Sequence, residues 1–224
     1  MANALARYRI VTLVYAMPVS MTATTMVAAQ TGSDDTPALS LLPFFMASGE
    51  QLAAKNIFEA VFGQSVEPFL GGGLQLVDQN GFFIDLTASR FKKTGQRAFR
   101  SNNQNFGLGI PLTATITPLE VTGGYRFKLP GSPRLVPYVG AGAGSYGYKE
   151  TSQFSDPGED VDTRHAGYLA VGGVEFRLHR WIGVSIDAQY THVLGILGTG
   201  GISQEAGEKD LGGVAARVKV IVGR

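Results

Sequence analysis

Three histidines, two glycine runs and one acidic stretch are the places where this chain could hold a metal, a cofactor or a catalytic group. His165, His179 and His192 stand far apart, whereas a zinc site draws its ligands from short, fixed spacings. Asp156, Glu159, Asp160 and Asp162 offer carboxylates for Ca²⁺, yet they miss the loop pattern that folds round that ion, so a solvated loop is expected. The glycines of GAGAG (140–144) and GGG (71–73) lack the spacing and the following helix of a dinucleotide loop. The chain has no Cys, which excludes a disulfide framework and thiolate chemistry. The sequence therefore predicts no metal, no cofactor and no catalytic set. A formal net charge of +1, without a basic stripe interleaved with aromatics, gives no footprint for nucleic acid.

One group of ionic residues does follow a rule. Asp85, Glu120, Glu175 and Asp187, with Arg126, Arg177, Arg217 and Lys219, each sit between apolar neighbours in alternating segments. The clearest such segment is 163–194. Tyr168, Ala170, Gly172, Val174, Phe176 and Leu178 share one parity; past a turn at 179–181, Ile182, Val184, Ile186, Ala188 and Tyr190 do the same. The opposite parity carries Glu175 and Arg177, then Ser185, Asp187, Gln189 and Thr191. A period of two over this length is extended strand. Taken alone, the hairpin suits two architectures: a membrane barrel with its apolar face on lipid, or a soluble lipocalin-like barrel with that face inward.

The same pattern recurs along the chain. Candidate strands run over 39–48, 66–77, 82–92, 110–127, 134–150, the two arms of the hairpin, and 211–223. Pro118 interrupts the phase of the fourth, which predicts a bulge there. The segment 49–64 has rough helical spacing at Leu52, Ile57, Phe58, Val61 and Phe62, so a short loop helix or an irregular apolar loop is expected. Connections alternate in length: long near 49–65, 93–109 (with a polar loop at 95–105), 151–162 and 195–210, short near 78–81, 128–134 and 179–181. Short turns on one side and long loops on the other are the asymmetry of a membrane barrel. The expectation is an all-β, eight-stranded antiparallel up-and-down transmembrane β-barrel.

Further features agree with that expectation. Residues 1–29 read as a cleaved secretory signal, with Arg7 and Arg9 before an apolar centre and Val27-Ala28-Ala29 at the cleavage site. Its removal takes two of the 19 basic residues and none of the 18 acidic ones. A polar leader (30–38) and the barrel domain (39–224) follow. Phe82, Tyr125, Phe127, Phe176 and Trp181 fall at the short-turn ends, and Phe91, Tyr146, Tyr148, Tyr168 and Tyr190 at the long-loop ends, as two aromatic girdles would. The eight ionic residues then face the lumen, where they should pair, because an eight-stranded barrel is filled by its own side chains. Gly140, Gly142 and Gly144 face inward too, leaving room for long neighbours or a small cavity.

The segments PYVGAGAG (137–144) and GVEFRLHRWIGVSIDAQYTH (173–192) resemble the hairpins of small bacterial outer-membrane β-barrel proteins of the OmpA/OmpX type and the OmpW-like group. The resemblance spans 39–224. It implies placement in the bacterial outer membrane, contact with outer-membrane lipid and lipopolysaccharide, and insertion by the barrel-assembly machinery. It also implies a non-enzymatic role: structural support, surface contact, or passage of a small or apolar ligand. Such proteins usually end in an aromatic residue, whereas this chain ends Val222-Gly223-Arg224. Lipid A-modifying enzymes resemble this architecture and carry a His-x-Ser pair. His165-Ala166-Gly167 and His192-Val193-Leu194 both lack the Ser.

Overall fold

Strict alternation over eight segments leaves each strand with one apolar and one ionic face, and a single sheet segregates them by closing on itself. The computed structural model describes residues 39–101, 104–152, 161–197 and 208–223, with side chains 98–106 left aside. The expected signal and leader (1–38) and most of the acidic loop (153–160) lie outside the described residues, as do 198–207 of the last loop. Eight strands follow in order: β1 (Leu39–Leu52), β2 (Val66–Asp78), β3 (Phe82–Ser101), β4 (Gln104–Arg126), β5 (Leu135–Ser152), β6 (Val161–His179), β7 (Ile182–His192) and β8 (Gly213–Val222). Each pairs antiparallel with its neighbours, and β8 returns to β1, so the sheet is a closed up-and-down barrel. Closure pairs each strand on both sides within the ring and leaves edges where β3 and β4 extend beyond it.

Which face is wet follows from burial. Phe45, Leu70 and Ile186 are 72%, 68% and 56% exposed on the outside, and every strand adds large apolar residues to this outer belt. Asp85, Glu175, Arg217 and Lys219 are buried within. A soluble lipocalin-like barrel would have the opposite polarity.

The interior is layered. Beside the short turns, Leu42, Phe44, Met46 and Ile221 pack together, with Phe83, Tyr138 and Val171 alongside. Ionic side chains fill the middle. At the long-loop end the lumen turns apolar again, with Leu52, Phe69, Phe91, Ile116, Tyr148 and Leu211 in one cluster. One helix among the described residues, α1 (Lys55–Phe62), caps this cluster and buries Ile57, Phe58 and Val61 against it. The Phe91 ring stacks on Phe69 at 5.3 Å and meets Phe62 edge-on at 5.9 Å. Ala54 at the N-cap has no side chain to offer. Glu208 supplies the missing acceptors instead: Oε1 accepts from the Asn56 amide at 3.1 Å and Oε2 from the Ile57 amide at 3.1 Å. The helix option for this loop is the one realised.

Four expectations need correction. The described part of the expected polar loop at 95–105 is strand: β3 and β4 run 20 and 23 residues and pair as far as Ser101↔Gln104. Backbone pairing continues there without apolar alternation, because the inner face meets α1 through Lys93, over the Phe62 ring, and through Gly95, whose β-carbon would stand 2.2 Å from the Val61 carbonyl oxygen. No bulge lies at Pro118, which pairs in register with Tyr146; the irregularity falls between Gln96 and Ala98. The phase holds because Leu112, Ala114, Ile116 and Pro118 face the apolar upper lumen. Tyr146 and Tyr148, expected in a girdle, are both 4% exposed and point inward, as does Phe91 at 2%. They share parity with Tyr138 and with Gly140, Gly142 and Gly144. Finally, Arg177 stands at the rim, its side chain 38% exposed, because two residues further the strand ends.

A β-carbon on Gly142 would stand 2.0 Å from the Val121 carbonyl oxygen, whereas one on Gly123 meets nothing within 4 Å. Gly142→Ala is therefore expected to destabilise the barrel by about 1–3 kcal/mol, read as a lower urea midpoint in detergent. Gly123→Ala should leave the midpoint where it is; equal shifts for the two would contradict this packing.

Candidate functional site

Register decides which ionic residues can meet. Asp187 lies directly opposite Arg217 across β7–β8, and Gln75 opposite Asp85 across β2–β3. Both pairs face inward on strands whose outer residues are apolar, so each begins as a cross-strand contact. The narrow lumen then brings distant strands within reach.

The result is one connected network. Arg217 Nε donates to Asp187 Oδ1 at 2.5 Å, and its Nη1 donates to Gln189 and lies 3.9 Å from Glu120 Oε2. Lys219 Nζ donates to Asp85 Oδ2 at 2.9 Å and stands 3.8 Å from Asp187 Oδ2. It also sits over the rings of Phe44 (5.0 Å) and Tyr138 (5.9 Å), a contact that favours a desolvated cation. Gln75 bridges to the rest: Nε2 donates to Asp85 at 2.9 Å and Oε1 accepts from Arg126 Nη1 at 2.7 Å. Arg126 Nη2 closes onto Glu175. Tyr138 donates to Asp187 Oδ2 at 2.5 Å, and Tyr146 to Glu120 Oε1 at 2.8 Å.

Seven of the eight predicted ionic residues are thus gathered inside, with Arg177 at the rim 3.8 Å from Glu175. The neutral members, Gln75, Tyr138, Tyr146, Ser185 and Gln189, were not picked out from sequence as members. Parity was the signal available, since each falls on the inward phase of its strand. A second, half-buried pair also escaped: Glu67, fully buried, accepts from Lys93 Nζ at 2.9 Å.

Burying charge in a low-dielectric interior is expensive unless every ion is paired and hydrogen-bonded. Each of the seven buried ions meets a counter-ion in this network, and an eight-stranded interior is filled by such side chains. Between it and the apolar cluster lies a cavity of about 20 Å³, touched by Glu50, Glu120, Tyr146, Phe69 and Leu211, roughly the room one water needs. The arrangement can hold the barrel wall together from within.

Chemistry elsewhere is sparse. His192 Nδ1 lies 2.6 Å from Asp210 Oδ2, and Asp210 Oδ1 accepts from the amides of Val193 (2.7 Å) and Gly212 (2.8 Å). That contact joins the two described ends of the last connection. His165 meets Thr163 at 3.3 Å, and His179 is exposed. Among the described residues no three His, Asp or Glu side chains converge as metal ligands. Of the girdle residues, Phe82, Tyr125 and Phe127 form an edge-to-face cluster at 5.2 Å spacings. Trp181 and Phe176 are exposed at the same end, and Tyr168 and Tyr190 at the other.

Several solved structures are similar to the chain. The chain is similar to the N-terminal β-barrel domain of Pseudomonas aeruginosa OprF (12% identity, TM-score 0.45), over 81% of this chain and 97% of that one. It is also similar to Ail, the attachment invasion locus protein of Yersinia pestis (13% identity, TM-score 0.46, 82% and 96% covered). Neisserial surface protein A is a third (10% identity, TM-score 0.45, 83% and 96%). No family model and no curated protein matches the chain.

Asp187 contacts Arg217, Lys219 and Tyr138 together, so Asp187→Ala should cost about 3–5 kcal/mol by stranding buried cations. Urea unfolding in detergent checks this, and an unchanged midpoint would refute the pairing. Asp85→Leu combined with Lys219→Met should be milder than either change alone.

Proposed function

We propose that the protein is a non-enzymatic barrel of the bacterial outer membrane, with a sealed lumen and a structural or surface role. One observation carries this reading: the polarity is inside out, with an apolar belt on every strand and an ionic network within. Soluble monomers rarely expose contiguous apolar patches above a few hundred Å². A belt around the whole barrel calls for lipid. β7 and β8, of 11 and 10 residues, are close to the ~9–11 residues a tilted strand needs to cross a bilayer. Exposed aromatics at both ends match the levels of two headgroup regions. Partners on this reading are outer-membrane lipid, lipopolysaccharide and the barrel-assembly machinery, after export by the signal at 1–29.

The filled cross-section supports a wall or platform over a pore. A second reading, passage of an apolar compound, is favoured by the apolar upper chamber under α1. Deleting residues 55–62 should then change uptake of such a compound; unchanged uptake would end that reading.

Two measurements test the main proposal. The protein should fractionate with outer membranes and show a heat-dependent shift on detergent gels. In planar bilayers it should give no discrete conductance steps. Recovery in the soluble periplasm would overturn the membrane placement, and regular steps would overturn the sealed lumen.

A further inference from the structure

The outer surface is not uniform round the ring. On β1, β2, β7 and β8 the described outward residues above the short turns include no Lys, Arg, Asp or Glu. On β3 to β6 they form two polar rows at the long-loop edge of the apolar belt. Register fixes the upper row as Lys92↔Thr115↔Lys149↔Asp162. The lower row is Arg90, Thr117↔Gly147↔Arg164, with Arg90 between the pairs Ala88↔Leu119 and Phe91↔Ile116, and so facing Thr117. Arg90, Lys92, Lys149 and Arg164 are all exposed. Among the described residues of these two rows, four cations face one acid, Asp162, which meets Lys149 at 3.2 Å in an exposed pair that is worth little.

The lower row is shaped as well as charged. Arg164 Nη1 donates to Ser145 Oγ at 3.3 Å. A β-carbon on Gly147 would stand 3.0 Å from Arg164 Nη2 and 2.6 Å from Thr117 Oγ1. The glycine therefore lets the guanidinium lie flat across β5 toward the hydroxyl on β4 and the Arg90 side. With strands ~4.8 Å apart, the rows spread over roughly 14 Å. Directly beneath come Ala88↔Leu119↔Ser145↔Ala166, then Leu86↔Val121↔Ala143↔Tyr168. Cations and hydroxyls thus sit on top of a smooth apolar strip, continuous with the belt.

We infer that this face of β3 to β6 is a binding site for a phosphorylated lipid: phosphate on Arg90, Lys92, Arg164 and the Thr117 hydroxyl, acyl chains along the strip below. The inference rests on the membrane reading. Charge and placement select the occupant: guanidinium and ammonium groups take phosphate, and only a lipid presents phosphate at the edge of an apolar belt.

The test uses the purified barrel in phosphatidylcholine nanodiscs containing trace bis-phosphorylated lipid A or its dephosphorylated form, with bound lipid read by native mass spectrometry. The wild-type chain should enrich the phosphorylated form alone. Loss of each headgroup-level cation should reduce retention roughly fivefold, so R90Q/K92Q/R164Q should lose about a hundredfold. K128Q/R180Q, at the opposite end, should keep wild-type retention. These exposed changes leave the lumen untouched, and the heat-dependent gel shift verifies folding of each variant. Equal retention by wild type and triple variant, in barrels that are inserted and heat-modifiable, overturns the inference and leaves the membrane reading standing. Displacement by millimolar inorganic phosphate would mark a soluble-anion site and overturn the lipid assignment. A chain that never enters the nanodisc overturns both.

Discussion

An ion taken out of water must find its counter-ion, and that requirement governs this molecule. The lumen of eight strands is too narrow to hydrate charges separately. Asp85, Asp187, Arg217 and Lys219 therefore share oxygens and protons across three strands, with Gln75 and Gln189 splicing the gaps. Replacing such a network by apolar residues is often neutral or stabilising for the fold itself. Its value here lies in register. A slip of one residue would turn every ionic side chain outward onto the belt, so the network specifies a single pairing of the strands.

The same constraint explains the vertical order of the interior. Charge is confined to the middle, between the Leu42–Phe44–Met46 layer and the cluster under α1. Both ends exclude water from the ion pairs and so strengthen them. Outside, the order is reversed: apolar residues hold the middle of the wall, with aromatics and then cations toward the long-loop side. Two gradients of opposite sense share one sheet, and the strand pleat keeps them apart.

Much of this was legible from alternation alone. The inward position of Asp187 and the outward position of Ile186 follow from a parity that runs unbroken through β7. The reading failed where the environment of a face changes along a strand. Ile116 and Tyr146 are apolar and aromatic yet face inward, because the lumen above the ion pairs is dry. Arg97, Thr94 and Gln96 read as loop because the inner face of the β3–β4 extension meets α1 through Lys93 and Gly95, so no apolar alternation marks the strand. Tyr146 and Tyr148 were recoverable in principle, since they continue the inward phase of Tyr138 and Gly140. Glu208 as the cap of α1 was not, because nothing local links residues so far apart in the chain.

The position of Arg217 and Lys219 on the last strand bears on how the ring is assembled. Until β8 docks, the carboxylates of Asp85 and Asp187 lack both of the cations that face them in the finished barrel. The residue that tethers α1, Glu208, also arrives only with the segment leading into β8. Neutralisation of the interior, sealing of its upper end and joining of first strand to last are thus a single late event. A half-built sheet stays hydrated and reversible, and commitment comes with β8.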